Sequence, residues 1–368
     1  MIISIWIFPF ICSSFSCSSF EFFSFSHALS YLHKVGPATL LGGTAAVYAS
    51  VLQHPSSTLT PLSVLYMLLL AIQYAIQPKW SKQYISPSTS KQSVALVEEL
   101  VKTTMAAGLL LTYASPTTRS VFSSWTLSSS LAVAALPASL YAIQGVLQYT
   151  SHQHLDTVTF NGLSQTKTIS AALCCFLLFK TPQSSLQMMA LLLLFCSSLL
   201  FQQTTATTNN HNNNNNNTYK SSSFLLGILP CLGATLTSGL AGALSQQGLQ
   251  HQNRDAYVYT MEVSFYSALC LLLSMSRHKT PFFHGWTRYT WIPILLKAAG
   301  GVLTALVHKY AGSVPKGFAL MFGLVLSQLG QAWFLNQDIT THQWMGTMLV
   351  ILSGWMHFTN PPITTLVS

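Results

Sequence analysis

The sequence predicts an all-α membrane protein of ten transmembrane helices, arranged as two inverted five-helix repeats. Three observations predict it. Half of the 368 residues are hydrophobic and only 6% are charged, against about 25% charged in a soluble domain, so there is too little polar surface to face water. Ten apolar runs have the length a helix needs to cross a hydrocarbon core of about 30 Å. A single polar low-complexity run, Gln202 to Ser223, divides those runs five and five. An odd number per block gives the two blocks opposite orientations.

Residues 1–60 read as a variable extension, with a signal anchor or an incorrect gene start as alternatives. Positions 1–26 are rich in Phe, Ser and Ile and carry no Lys or Arg, whereas a signal peptide begins with positive charge. The first repeat, 61–203, holds spans with cores at 61–78, 93–114, 128–149, 155–179 and 186–203. Residues 204–222 form an Asn/Ser/Thr-rich linker that cannot bury a core. The second repeat, 223–360, holds spans at 223–248, 256–275, 289–310, 315–335 and 343–359, followed by a tail, 361–368.

Individual spans carry their own signals. The second has Glu99 and Lys102 three residues apart, a spacing that pairs them along one helix face. The fourth carries Lys167 near the middle of LDTVTFNGLSQTKTISAALCCFLLF. A lysine at the midplane costs at least about 2.5 kcal/mol, so it needs a partner or a water-filled cavity. Glu99, Asp156 and Glu262 are its candidate structural partners, and an anionic solute is the functional one. The sixth span holds Gly233, Ser238, Gly239 and Gly242, and the eighth Gly300 and Gly301, small residues that let helices approach closely. In the seventh, Thr260 and Ser264 are four apart and share a face, with Glu262 pointing elsewhere as a partner for a lysine or a ribose hydroxyl.

Several classes are disfavoured. The charge is basic, with 16 Lys and Arg against 7 acidic residues, yet the basic residues lie singly between apolar runs, which argues against nucleic-acid binding. Cys174, Cys175, Cys196, Cys231 and Cys270 sit inside apolar runs and read as small hydrophobes. The twelve histidines form no ligand cluster, so neither a metal nor another cofactor is expected. No phosphate-binding loop supports ATP-driven pumping. A membrane-embedded glycosyltransferase would need acidic residues for base or metal work, and here they are few and dispersed, so no catalytic residue is assigned.

The blocks Tyr141-Ala142-Ile143-Gln144, Leu155-Asp156-x-x-Thr159-Phe160, Gln165-Thr166-Lys167, Ser238-Gly239-Leu240-Ala241-Gly242 and Gly300-Gly301, with Tyr310-Ala311 and Lys316-Gly317-Phe318 downstream, occur in this order in nucleotide-sugar transporters. Over roughly residues 61–358 the chain resembles that family, within the drug/metabolite transporter superfamily. Gln73-Tyr74-x-x-Gln77-Pro78, Leu163 to Lys167, Tyr259 to Phe265 and Phe283 to Thr287 look most like the plant endoplasmic-reticulum branch that carries UDP-N-acetylglucosamine and UDP-N-acetylgalactosamine.

The resemblance implies a multi-pass antiporter in the endoplasmic reticulum or Golgi membrane. It would move a nucleotide sugar into the lumen in exchange for UMP, a nucleoside monophosphate. Lys167 and Lys316 match the lysines that approach the substrate phosphates. Tyr141, Gln144 and Phe160 match positions that help bind the nucleotide, and an aromatic face can stack on a base. Gln165 is a further candidate, although its spacing from Lys167 puts it on another helical face. Ser238, Thr260 and Ser264 match positions near base and ribose, while Glu99 and Lys102 match a pair at the cavity mouth. Departures at Gly145-Val146, Ser164 and Gln246 argue against CMP-sialic acid and UDP-galactose. Another nucleotide sugar, a phosphorylated metabolite, or a non-transporting regulatory role are the alternatives. The lipid bilayer is the expected surrounding, and a homodimer is left open. Lys and Arg counts are similar on both faces, so they do not set orientation. A sequon at Asn216 places the loop after the fifth span in the lumen.

Overall fold

The computed structural model describes residues 60–360, apart from 87, 113–124, 156–159, 161–162, 181, 211–220, 276–281 and 336–338. The extension 1–59, Asp156, Thr159, the sequon at Asn216 and the tail 361–368 lie outside the described residues. The described residues form ten long helices and no strand. In chain order they are α1 (Pro61–Tyr84), α2 (Lys91–Thr112), α3 (Leu127–Ser130, a π turn at Leu131–Ala135, then Leu136–His154), α4 (Lys167–Phe179), α5 (Ser185–Asn210), α6 (Ser221–Gln246, ending in a π turn at Gln247–His251), α7 (Ala256–Met275), α8 (Trp291–Tyr310), α9 (Ser313–Leu335) and α10 (Thr341–Thr359).

Local chemistry sets the helix starts. Thr60 and Ser63 form a reciprocal cap on α1, with Pro61 in its first turn, where a missing N–H costs nothing. Thr340 and Gln343 do the same for α10. The Asp255 carboxylate accepts from the Tyr257 and Val258 amides at 2.9 and 3.1 Å, satisfying orphan donors at the start of α7. The helices also extend past some expected limits. α1 passes Pro78 and ends at Tyr84, and α5 runs to Asn210 while α6 opens at Ser221, so helix enters both ends of the expected linker.

Among the described residues, five helical segments are long and apolar enough to cross a membrane: Pro61–Tyr84, Leu127–Gln148, Leu226–His251, Ala256–Leu273 and Arg288–Tyr310. α2 carries Glu98, Glu99 and Lys102 in its centre, and α4 is only 13 residues long. The partition of side chains is that of a lipid-facing bundle. Leu65, Ile72, Leu177, Leu229, Leu272 and Leu273 are exposed, whereas Ser63, Ser93, Ser197, Ser264 and Ser353 are fully buried. In water the apolar side chains would be inside. In lipid it is the polar groups that must find partners within the bundle.

α6 packs along α3, α5 along α10, α7 along α2, and α1 against both α8 and α9, while α4 lies between α6 and α9. Two close approaches fix α4. A Cβ at Gly239 of α6 would stand 2.6 Å from the Ser170 carbonyl carbon, and one at Gly317 of α9 would stand 2.5 Å from Thr168 Cγ2. Cys174 and Cys175 pack against Ala243, and Cys231 against Leu155 and Phe160, as small hydrophobes.

Candidate functional site

A two-residue turn at Gln165–Thr166 separates Lys167 from the helical residues Leu163 and Ser164. The run 155–179 is broken, and α4 begins at Lys167 itself. Thr166 closes a local turn instead, its amide and its hydroxyl both donating to the Leu163 carbonyl at 3.0 and 2.7 Å. Such side-chain bonds compete with the helical ladder. Lys167 is therefore the first residue of a short helix inside the bundle, where the positive end of the helix dipole adds to its own charge.

The described carboxylates are otherwise engaged. Glu99 pairs with Lys102 at 2.8 Å, the contact expected from their spacing, and Glu98 faces Lys297 at 3.4 Å. Asp255 caps α7. Glu262 pairs with the Arg254 guanidinium and accepts from Trp125 Nε1 at 2.7 Å. The partner of Glu262 is thus an arginine from the loop before α7, and Arg254 also reaches Ser129 Oγ at 3.3 Å. Among the described residues, no carboxylate lies within ion-pair distance of Lys167 or Lys316.

The fold brings those two lysines together. Their neighbours Thr168 and Gly317 touch across the α4–α9 contact. Lys316 lies in the first turn of α9. That helix follows α8 so closely because Gly312 turns the chain at φ 100°, a conformation glycine adopts without a Cβ clash. Lys316 Nζ lies 3.0 Å from His308 Nε2, and Ser313 Oγ lies 3.1 Å from His308 Nδ1 and 2.6 Å from the Gly242 carbonyl. Gln246 accepts from the Ser313 amide at 2.8 Å and donates to Gln250, whose amide donates to the His308 carbonyl at 2.9 Å.

The remaining candidates divide. Tyr141 of α3 is half-buried, and on the facing helices Ser245 accepts from the Tyr259 hydroxyl at 2.7 Å and donates to the Ala241 carbonyl at 2.7 Å. Gln144 Oε1 and Ser264 Oγ are buried polar atoms without a hydrogen-bond partner among the described residues, and such atoms are rare in proteins unless a water, ion or ligand completes them. Thr260 donates to the Ala256 carbonyl of its own helix at 2.7 Å. Ser238 is half-buried beside the Gly239 contact. The Lys102 stem lies across α8, against Gly301. Phe160 is buried among Leu155, Leu163, Ile228 and Cys231. Gln165, in the turn before α4, lines a crevice with Thr168, Ile169, Leu191, Leu194, Phe195 and Met321. Sequence reasoning missed Arg254, Trp125 and His308. The eight-residue offset from His308 to Lys316, with Gly312 between them, was the available signal.

The arrangement suits one kind of chemistry. Two ammonium groups without carboxylates, at the starts of two helices, attract an anion. Unit charges 4 Å apart at an effective dielectric of 20 gain about 4 kcal/mol.

A family model described as nucleotide-sugar transporter matches residues 55–357. The UDP-N-acetylglucosamine transporter ROCK1 of Arabidopsis thaliana is 33% identical over 314 residues, 83% of this chain and 95% of that protein. The UDP-N-acetylglucosamine transporter of Homo sapiens is 25% identical over 62% of this chain and 70% of its own length. The UDP-galactose transporter of Schizosaccharomyces pombe is 28% identical over 61% of this chain and 64% of its own. One solved crystal structure superposes with a TM-score of 0.60 over 80% of this chain and 95% of that one, at 9% identity, a likeness of fold alone.

Proposed function

We propose that this chain, which belongs to the nucleotide-sugar transporter family, exchanges UDP-N-acetylglucosamine or UDP-N-acetylgalactosamine for UMP across an endoplasmic-reticulum or Golgi membrane. It is a transporter and not an enzyme; substrate, exchange and organelle are our reading. The observation that carries it is the pair Lys167 and Lys316, on helices that meet at the adjacent Thr168–Gly317 contact and without carboxylates among the described residues. A UDP-sugar brings two negative charges on its pyrophosphate, which match two fixed ammonium groups. Lysine is a compact point charge, suited to a grip that must also release. The architecture we attach to this reading is ten spans in two inverted five-helix repeats, with one site facing each side in turn. Exchange follows if the empty, doubly positive site reorients poorly and a bound nucleotide neutralises it. The N-acetylhexosamine preference rests on the resemblance to ROCK1.

Purified protein in liposomes preloaded with UMP tests this. Uptake of labelled UDP-N-acetylglucosamine and UDP-N-acetylgalactosamine is expected to exceed that of UDP-galactose and CMP-sialic acid. Preference for UDP-galactose would reassign the substrate, and equal uptake into nucleotide-free vesicles would overturn exchange.

Gln144 and Ser264 are read as nucleotide contacts that wait for their partner. Gln144→Leu is then expected to raise the melting temperature of the empty protein, since an unsatisfied buried amide costs about 1–3 kcal/mol. The same change should weaken UMP stabilisation in a thermal-shift titration. A lower melting temperature with unchanged UMP response would assign Gln144 to the fold instead.

A further inference from the structure

We propose that His308 is a positioning residue for transport: its neutral imidazole holds the Lys316 ammonium in place without cancelling its charge. The inference rests on the reading of Lys316 as a phosphate contact. Proton counting at the ring supports it. Ser313 has one hydroxyl proton, and the Gly242 carbonyl, 2.6 Å away, has no other role toward it than acceptor. Toward His308 Nδ1, 3.1 Å away, Ser313 therefore accepts, and Nδ1 carries the ring proton. In the neutral ring Nε2 then bears a lone pair, and the Lys316 ammonium, which has only donors, is 3.0 Å from it. An imidazolium would have no lone pair to offer. The ring is 1% exposed.

The contrast with the half-buried cations that sit in ion pairs gives this contact its meaning. Lys102, Lys297 and Arg254 each face a carboxylate, which fixes them and neutralises them together. Lys316 faces a neutral base. One of its three protons is held, so the stem is oriented, and two protons and the whole charge remain for an anion. The chain Gly242–Ser313–His308–Lys316 also ties the end of α8 and the start of α9 to α6. The position of the ammonium is thereby referred to the helix that packs against α4 and Lys167.

The test compares three substitutions in liposomes loaded with UMP, following labelled UMP uptake. His308→Gln keeps a neutral acceptor and is expected to stay within a few-fold of wild type in both KM and kcat. His308→Val removes the acceptor and should raise KM about tenfold, with kcat changed much less. His308→Glu keeps an acceptor but adds a negative charge, and should raise KM at least about tenfold beyond the glutamine variant. A merely structural role would make the glutamate variant as good as the glutamine one, because its bond to Lys316 would be stronger. Equal KM for the glutamine and glutamate variants, both monodisperse and melting as wild type, overturns the proposal even if the valine variant fails to fold. Failure of the wild-type protein to exchange UMP would instead overturn the transport reading, and the role of His308 with it.

Discussion

Lys167→Ala is expected to cut nucleotide-sugar exchange by about 10- to 150-fold, the loss of one hydrogen bond to a charged group worth about 1.5–3 kcal/mol. The same variant should melt no lower than wild type. The argument turns on where the other charges are. Glu99 and Glu262, two of the three carboxylates the sequence offers as structural partners, are held by Lys102 and Arg254, and the third, Asp156, lies outside the described residues. A lysine inside a membrane-spanning bundle costs at least about 2.5 kcal/mol when nothing compensates it. Removing it relieves that cost while removing the anion site. A structural ion pair predicts the opposite signature, because deleting one partner of a buried pair leaves the other uncompensated, at about 3–5 kcal/mol. Lys167→Arg sharpens the test. It restores charge, but its planar fork grips phosphate through two parallel bonds, so it should lower KM or leave it unchanged while slowing turnover. Liposome exchange and thermal melting on the same preparations separate the two accounts. An alanine variant that exchanges as wild type, or melts well below it, would remove Lys167 from the site.

The helices were readable because their signals are local. Apolar runs located the helices α1, α3, α6, α7 and α8, although α1 and α3 run five or six residues past their expected ends, and the spacing of Glu99 and Lys102 gave their ion pair directly. The Thr260–Ser264 register holds too, with both residues buried on α7. What could not be read depends on tertiary placement or on competing local bonds. The break before Lys167 comes from Thr166 bonding the Leu163 carbonyl, and the polar stretch from Ser164 to Thr166 looks the same in a continuous helix. Arg254 lies outside any apolar run, so nothing in its own neighbourhood connects it with Glu262. His308 and Lys316 are eight apart, which along one helix would not bring their side chains together. Only the turn at Gly312 folds them back. The double glycine Gly300-Gly301 reads as packing in the sequence, and the structure shows what packs there, the side chains of Gln73 and Lys102.

Gly239→Val should be the most damaging single change away from the charges. A Cβ at this position would stand 2.6 Å from the Ser170 carbonyl carbon and 2.7 Å from the Ala171 nitrogen. These are backbone atoms within a helix, and no rotamer change can clear them. α4 would have to move away from α6 as a unit, and overpacking of this kind costs about 1–3 kcal/mol or more. The displacement reaches function because Lys167 begins the same helix one turn before Ser170, and because Gly317 holds Thr168 from the opposite side. Moving α4 off α6 either drives Thr168 into α9 or carries the Lys167 ammonium away from Lys316. We therefore expect a lower melting temperature together with loss of UMP exchange beyond tenfold, roughly what a penalty above 1.4 kcal/mol at the site allows. Gly145→Ala is the control. Nothing lies within 4 Å of a Cβ there, and alanine is favoured over glycine inside a helix by about 0.8–1.0 kcal/mol, so this variant should melt at or above wild type and exchange normally. If Gly239→Val were to match Gly145→Ala in both assays, the α4–α6 approach would not be what positions Lys167, and the burden of holding it would pass to the Thr168–Gly317 contact with α9.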